Sequence, residues 1–168
     1  MEIVIALDSY DDLFSDFDIR GYGERALSRD LLDELRVRLR KYWMEPDLRI
    51  VFLVPAAARN AADEEMIVGR VRRFIGERTA HYQKADRDAK LRSLLFVAIG
   101  AALSVGASLA APRFPVLPLL EDFLLIPCWF FVWSGFDLLF QKRGEISGRR
   151  RYYAALSEAA FDFKDSQK

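Results

Sequence analysis

At 168 residues the chain has room for one modest domain plus accessory segments, and its 25 Lys and Arg cancel its 25 Asp and Glu. That balance offers no bulk attraction for nucleic acid. The single Cys128 permits neither an intrachain disulfide nor a thiolate metal set, and the single His81 excludes a His-rich one.

The N-terminus, MEIVIALDSYDDLF, is acidic, lacks a basic region and has an apolar run of strand length only, so it does not read as a signal peptide. Its EIVIAL (2–7) is predicted to be a buried strand. Ser28 can then cap a helix with Asp30 in its first turn, and Leu31, Leu35, Leu39 and Trp43 put one apolar stripe along it. LRIVFLV (48–54), ended by Pro55, is a second strand. Strand, helix, strand is the order of a parallel βαβ unit with a right-handed crossover. Two strands and a helix bury little. Help is therefore expected, either from AAFDF near the C-terminus as a third strand or from a neighbouring subunit.

Asn60, followed by Asp63, Glu64 and Glu65, marks the next helix start, and Ile67, Val71, Phe74, Tyr82 and Ala85 keep helical spacing after it. Nothing between Ala61 and Leu94 forces a break, so one helix is predicted to run on into the apolar stretch LLFVAIGAALSVGASLAA. On it, Glu77 and His81 are spaced as a surface i,i+4 pair.

Leu94 to Ala111 carries no charge over 18 positions, and 119–140, LLEDFLLIPCWFFVWSGFDLLF, has acids only near its ends. Each is long enough for a hydrocarbon core about 30 Å thick. Arg70 to Arg92 holds eight basic residues against three acids, Lys142, Arg143, Arg149, Arg150 and Arg151 follow the second stretch, and the connecting PRFPVLP has Arg113 alone. Basic residues stay on the cytoplasmic side. The expected organisation is therefore an α/β cytoplasmic domain (1–60) and a basic amphipathic helix (61–93), then spans at 94–111 and 119–140 around an external turn (112–118). A basic cytoplasmic tail (141–168) closes it, broken at GEISG before a short helix. This organisation predicts a multi-pass membrane protein with both termini cytoplasmic.

Three features carry candidate chemistry. The first is the acidic loop DSYDDLFSDFD, with Asp8, Asp11, Asp12, Asp16 and Asp18 just past the first strand, where parallel sheets usually bind ligands. Its oxygens could hold Mg²⁺ or Ca²⁺, although the EF-hand offsets are absent. The plainer alternative is a solvated loop with Leu13, Phe14 and Phe17 folded inward. The second is a stripe of small residues, Ala98, Ala102, Gly106 and Ala110, which would let another helix approach closely, from the same chain or a neighbouring one. The third is Asp137, on one face with Trp129 and Trp133 near the end of the second span. That face reads as a packed seam, with Asp137 pairing Arg92 or Lys142 to fix the hairpin register. Glu121 and Asp122 suit the dipole of that span's first turn, and Pro127 should bend it.

LFSDFDIRGYGERALSRDLLDELR, PDLRIVFLVP and an Arg-rich helix with two spans together resemble a group of uncharacterised bacterial two-span membrane proteins. In that group an LFNxFDPxPF-like pattern precedes a helix, and the second span resembles ExLxIxGWVAxWRPxE followed by LYDWWP. Leu13, Phe14, Asp16 or its neighbour, Phe17 and Asp18 fall on the first pattern; Glu121, Trp129, Trp133 and Asp137 fall on the second. WSG stands here for WRP, CW for GW, and QKRG for the terminal DWWP. The resemblance implies a fold and shared positions, not a reaction.

The residues therefore favour a non-enzymatic, membrane-anchored assembly or adaptor protein, associating with lipids and with itself or a partner membrane protein, with no cofactor. The alternatives are an oligomeric pore lined by Glu121, Ser104 and Ser108, and a metal-dependent hydrolase or nucleotide-binding domain built on the aspartates.

Overall fold

The computed structural model describes residues 1–40, 47–110 and 117–166, with the side chains of 117–125 and 141–143 outside that description. Trp43 and the side chains of Lys142, Glu121 and Asp122 thus lie outside the described residues.

Strand β1 (Glu2–Ala6) alternates exposed and buried residues, so Ile3 and Ile5 share one face and Glu2, Val4 and Ala6 the other. Strand β2 (Arg49–Val54) lies parallel to it, with Ile3 opposite Ile50 and Ile5 opposite Phe52. Strand β3 (Ala160–Asp165) pairs in parallel with the far side of β2, setting Phe161 opposite Ile50 and Phe163 opposite Phe52. The sheet order is β1-β2-β3. The AAFDF segment is therefore the third strand, and the chain completes its own sheet.

Helix α1 (Arg29–Leu39) starts where the Ser28 hydroxyl accepts the N–H of Asp30 at 3.2 Å, and it lays Leu31, Leu35 and Leu39 on the core. Helix α2 (Ala61–Ala110) is continuous through Gly69 and Gly76 and contributes Ile67, Val71 and Ile75. Helix α3 spans Leu117–Asp137, with Pro127 inside it. After a π-helical stretch, Leu138–Lys142, helix α4 (Arg143–Glu158) adds Leu156 to the core.

These helical residues form one buried cluster with Ile3, Ile5, Ile50, Phe52 and Phe161, so α1, α2 and α4 cover a single face of the sheet. On the other face Val51 is fully buried yet stands apart from that cluster. Sharing its face are the ion pairs Glu2–Lys164 (2.8 Å) and Arg49–Asp162 (3.3 Å), whose long aliphatic stems stand where a second helix layer would lie. Parallel sheets usually have both faces covered by helices; among the described residues, these ion-paired side chains lie on this one. The Lys164 ammonium holds the Glu2 carboxyl below its ordinary pKa.

Two compact units result: Met1–His81 together with Arg150–Lys168, and Tyr82–Arg149. The expected boundary at residue 60 falls too early, because 61–81 carries core residues and is no separate amphipathic element. The expected break at GEISG is also absent. Helix α4 runs through Gly144 and Gly148, each costing about 1 kcal/mol relative to Ala, and Glu145 and Arg149 pair across one turn at 3.4 Å.

Candidate functional site

Three of the five aspartates, Asp11, Asp12 and Asp18, are taken up by separate structural tasks. Asp12 accepts the backbone N–H groups of Asp8 (2.7 Å) and Ser9 (3.1 Å) and so closes the 3₁₀ turn Tyr10–Leu13. Asp11 pairs with Arg25. Asp18 accepts from the Arg20 backbone N–H (3.2 Å), its Nε (2.9 Å) and Nη2 (2.7 Å), and the Ala26 N–H (2.8 Å). Those bonds, the Arg20 guanidinium first, hold the Asp18 carboxyl far below the usual carboxylate range. Asp8 and Asp16 are exposed. Among the described residues no group of three or more His, Cys, Asp or Glu side chains is arranged to hold a metal ion.

Leu13 and Phe14 fold inward as expected, but Phe17 does not: it is 98 % exposed, as is Ile19. The four bonds to Asp18 fix the backbone on either side and leave both neighbours pointing out.

A polar network that the sequence did not single out occupies the carboxyl edge of the sheet. The Tyr10 hydroxyl donates to Glu64 Oε1 (2.8 Å) and accepts the N–H of Asn60 (2.9 Å). Arg59 grips both Glu64 oxygens (2.8 and 2.9 Å) and reaches Asp165 at the end of β3 (2.8 Å). Arg59 pulls the Glu64 carboxyl below its normal range, while burial pushes the Tyr10 phenol up. The network ties the segments leaving β1, β2 and β3 to the start of α2. Its only sequence signal is Arg59 and Asn60 shortly before the acids Asp63 to Glu65, since Tyr10 and Asp165 are remote in sequence.

In the second unit the contact between α2 and α3 is built on glycines. The Ser93 hydroxyl, fully buried, donates to the Gly135 carbonyl at 2.7 Å. A Cβ on Gly135 would lie 2.6 Å from Val97 Cγ2, and one on Gly100 would lie 2.7 Å from Val132 Cγ2 and 3.0 Å from the Cys128 carbonyl. The backbones approach so closely only because those Cβ atoms are missing. Phe96 and Phe131 pack beside the seam with ring centroids 5.9 Å apart.

Ala98, Ala102 and Gly106 are exposed and Ala110 is half-buried, and among the described residues nothing stands within 4 Å of a Cβ on Gly106, so the small-residue stripe is not the part of α2 that packs on Cys128–Gly135. Nor do the tryptophans form the seam, with Trp129 64 % and Trp133 70 % exposed. Indole rings would hold the helices apart, so α3 turns the small residues Cys128 and Gly135 to α2 instead. Asp137 ends α3 half-buried, Arg92 is exposed, and no ion pair joins them among the described residues.

Helix α2 contains an 18-residue window of mean hydropathy 2.0, of which 11 % is buried, and by length and composition it is able to cross a membrane. The chain is thus a small three-stranded parallel α/β unit joined to a long apolar helix. Comparison with protein-family models, with curated proteins and with solved structures finds no match.

Proposed function

We propose that this chain is a non-enzymatic, membrane-anchored assembly or adaptor protein, which self-associates or docks a partner at the cytoplasmic face of a bacterial inner membrane. One observation carries the reading. Strand β3, which follows both apolar helices, pairs with β2, which precedes them. If α2 crosses the bilayer, the chain must cross back to complete that sheet. Helix α3, uncharged from Phe123 to Phe136, is the segment available. The basic residues of 70–92 and 142–151 favour the cytoplasm for both termini and add about 1 kcal/mol each of attraction to anionic lipids near the surface.

The exposed stripe Ala98, Ala102 and Gly106, left free by the α2–α3 seam, supports close packing against a helix of another chain. Native mass spectrometry in mild detergent tests the assembly reading. A dimer, a higher oligomer or a complex retaining a copurified membrane protein is expected; a stable monomer without partners contradicts it.

A further inference from the structure

We infer that the outer edge of β3 pairs antiparallel with β3 of a second copy of this chain, a contact that rests on the self-association proposed above and says where it occurs. A sheet of order β1-β2-β3 has two edges, and an open edge is a template for another strand. The two edges differ. At β1, Arg38 of α1 donates to the outward Val4 carbonyl. At β3, the Ala160 and Ser166 N–H groups donate to the Leu48 and Val54 carbonyls, each at 2.9 Å. Even-numbered positions of β3 therefore face β2, and the N–H and C=O groups of Phe161, Phe163 and Asp165 face outward. Among the described residues none of those outward groups has a hydrogen-bond partner. Charged side chains often guard an edge. Here Lys164 is drawn back to Glu2, and Asp162 to Arg49, over their own sheet.

Charge selects the occupant and the register. Outward residues must oppose outward residues, so with most of the strand overlapped a two-fold axis passes at Asp162, Phe163 or Lys164. An axis at Asp162 sets that carboxylate against its own copy, and an axis at Lys164 opposes two ammonium groups. Like charges directly opposite are destabilising. An axis at Phe163 instead sets Asp162 opposite Lys164 of the second copy, twice over by symmetry, and Phe161 opposite Asp165. The ammonium has donors enough for Glu2 and the second carboxylate together. Phe163 then exchanges both backbone hydrogen bonds with its counterpart. An antiparallel strand at the edge of a parallel sheet is a common arrangement, and here the strand's own sequence is the complement it needs.

The test uses the full chain with Cys128→Ala in mild detergent, mixing Asp162→Cys and Lys164→Cys variants under mild oxidation. Both sites lie on the face away from the core cluster. The Phe163-centred register brings position 162 of one copy to about 4.5 Å from position 164 of the other at Cα, within disulfide reach. Identical positions stay about 7–8 Å apart. Mixed 162–164 disulfides should therefore exceed either self-pair several-fold. In the unsubstituted dimer the Phe163 amide should exchange several-fold more slowly than an unpaired amide. A dimer by native mass spectrometry that shows no mixed-pair preference, or exchanges Phe163 freely, overturns the β3 contact and leaves the assembly reading intact. So does a single copy held in a complex with a different protein. A stable monomer that does not cross-link fails the assembly reading itself, and the β3 contact with it.

Discussion

The hydroxyl of Ser93 on α2 and the carbonyl of Gly135 on α3 meet at 2.7 Å, beside a gap that no Cβ can enter. This hydrogen bond and two glycines set the register of the helix pair. Gly135→Val should therefore force the helices apart, at a cost of about 1–3 kcal/mol. Loss of disulfide cross-linking between engineered cysteines at Phe96 and Phe131 would report it. Ser93→Ala should weaken the pair less, by about 1 kcal/mol.

Tyr10 and Glu64 provide a test in the sheet unit. Tyr10→Phe removes a donor to Glu64 and the acceptor for the Asn60 N–H, so thermal unfolding should show a loss of about 1–3 kcal/mol. Glu64 keeps its two bonds to Arg59, which should hold the start of α2 in place.

Acid should act through Asp18 and Glu64. Both carboxyls titrate lower in the fold than their unfolded values of about 4. Their contribution to stability is complete above those unfolded values and is lost as pH falls through the folded ones. Melting of the sheet unit, followed by circular dichroism, should hold steady down to about pH 5 and decline below about pH 4. Asp18→Asn should flatten part of that decline and speed exchange of the Ala26 amide, whose bond it weakens.

Deleting residues 160–168 removes Phe161 and Phe163, which pack on Phe52 with ring centroids 6.4 and 5.3 Å away. The remaining two-stranded sheet is too small to persist, so limited proteolysis should digest the N-terminal unit. Phe161→Ala alone should cost about 3–5 kcal/mol.

Strands and helices were legible because EIVIAL and LRIVFLV are short apolar runs rich in β-branched residues and Leu31, Leu35 and Leu39 recur each turn. Even the third strand could be anticipated, from a shortage of core in the rest of the chain. The helix seam was not legible. Both Ala98–Ala102–Gly106 and Ser93–Gly100 offer small residues along α2, and only the position of Gly135 on the partner helix decides between them. The loop failed differently. Hydrophobicity argued for folding Phe17 inward, but the backbone bonds of Asp18, to residues two and eight positions along the chain, fixed the local geometry first.

Single-cysteine labelling of intact cells tests the central claim, a helix pair that leaves and re-enters one side of a membrane. In a Cys128→Ala background, an impermeant maleimide should label Arg113→Cys from outside and should reach Glu24→Cys and Glu158→Cys only after permeabilisation. Labelling Glu24→Cys and Glu158→Cys from opposite sides, or all three sites without membrane association, would contradict it.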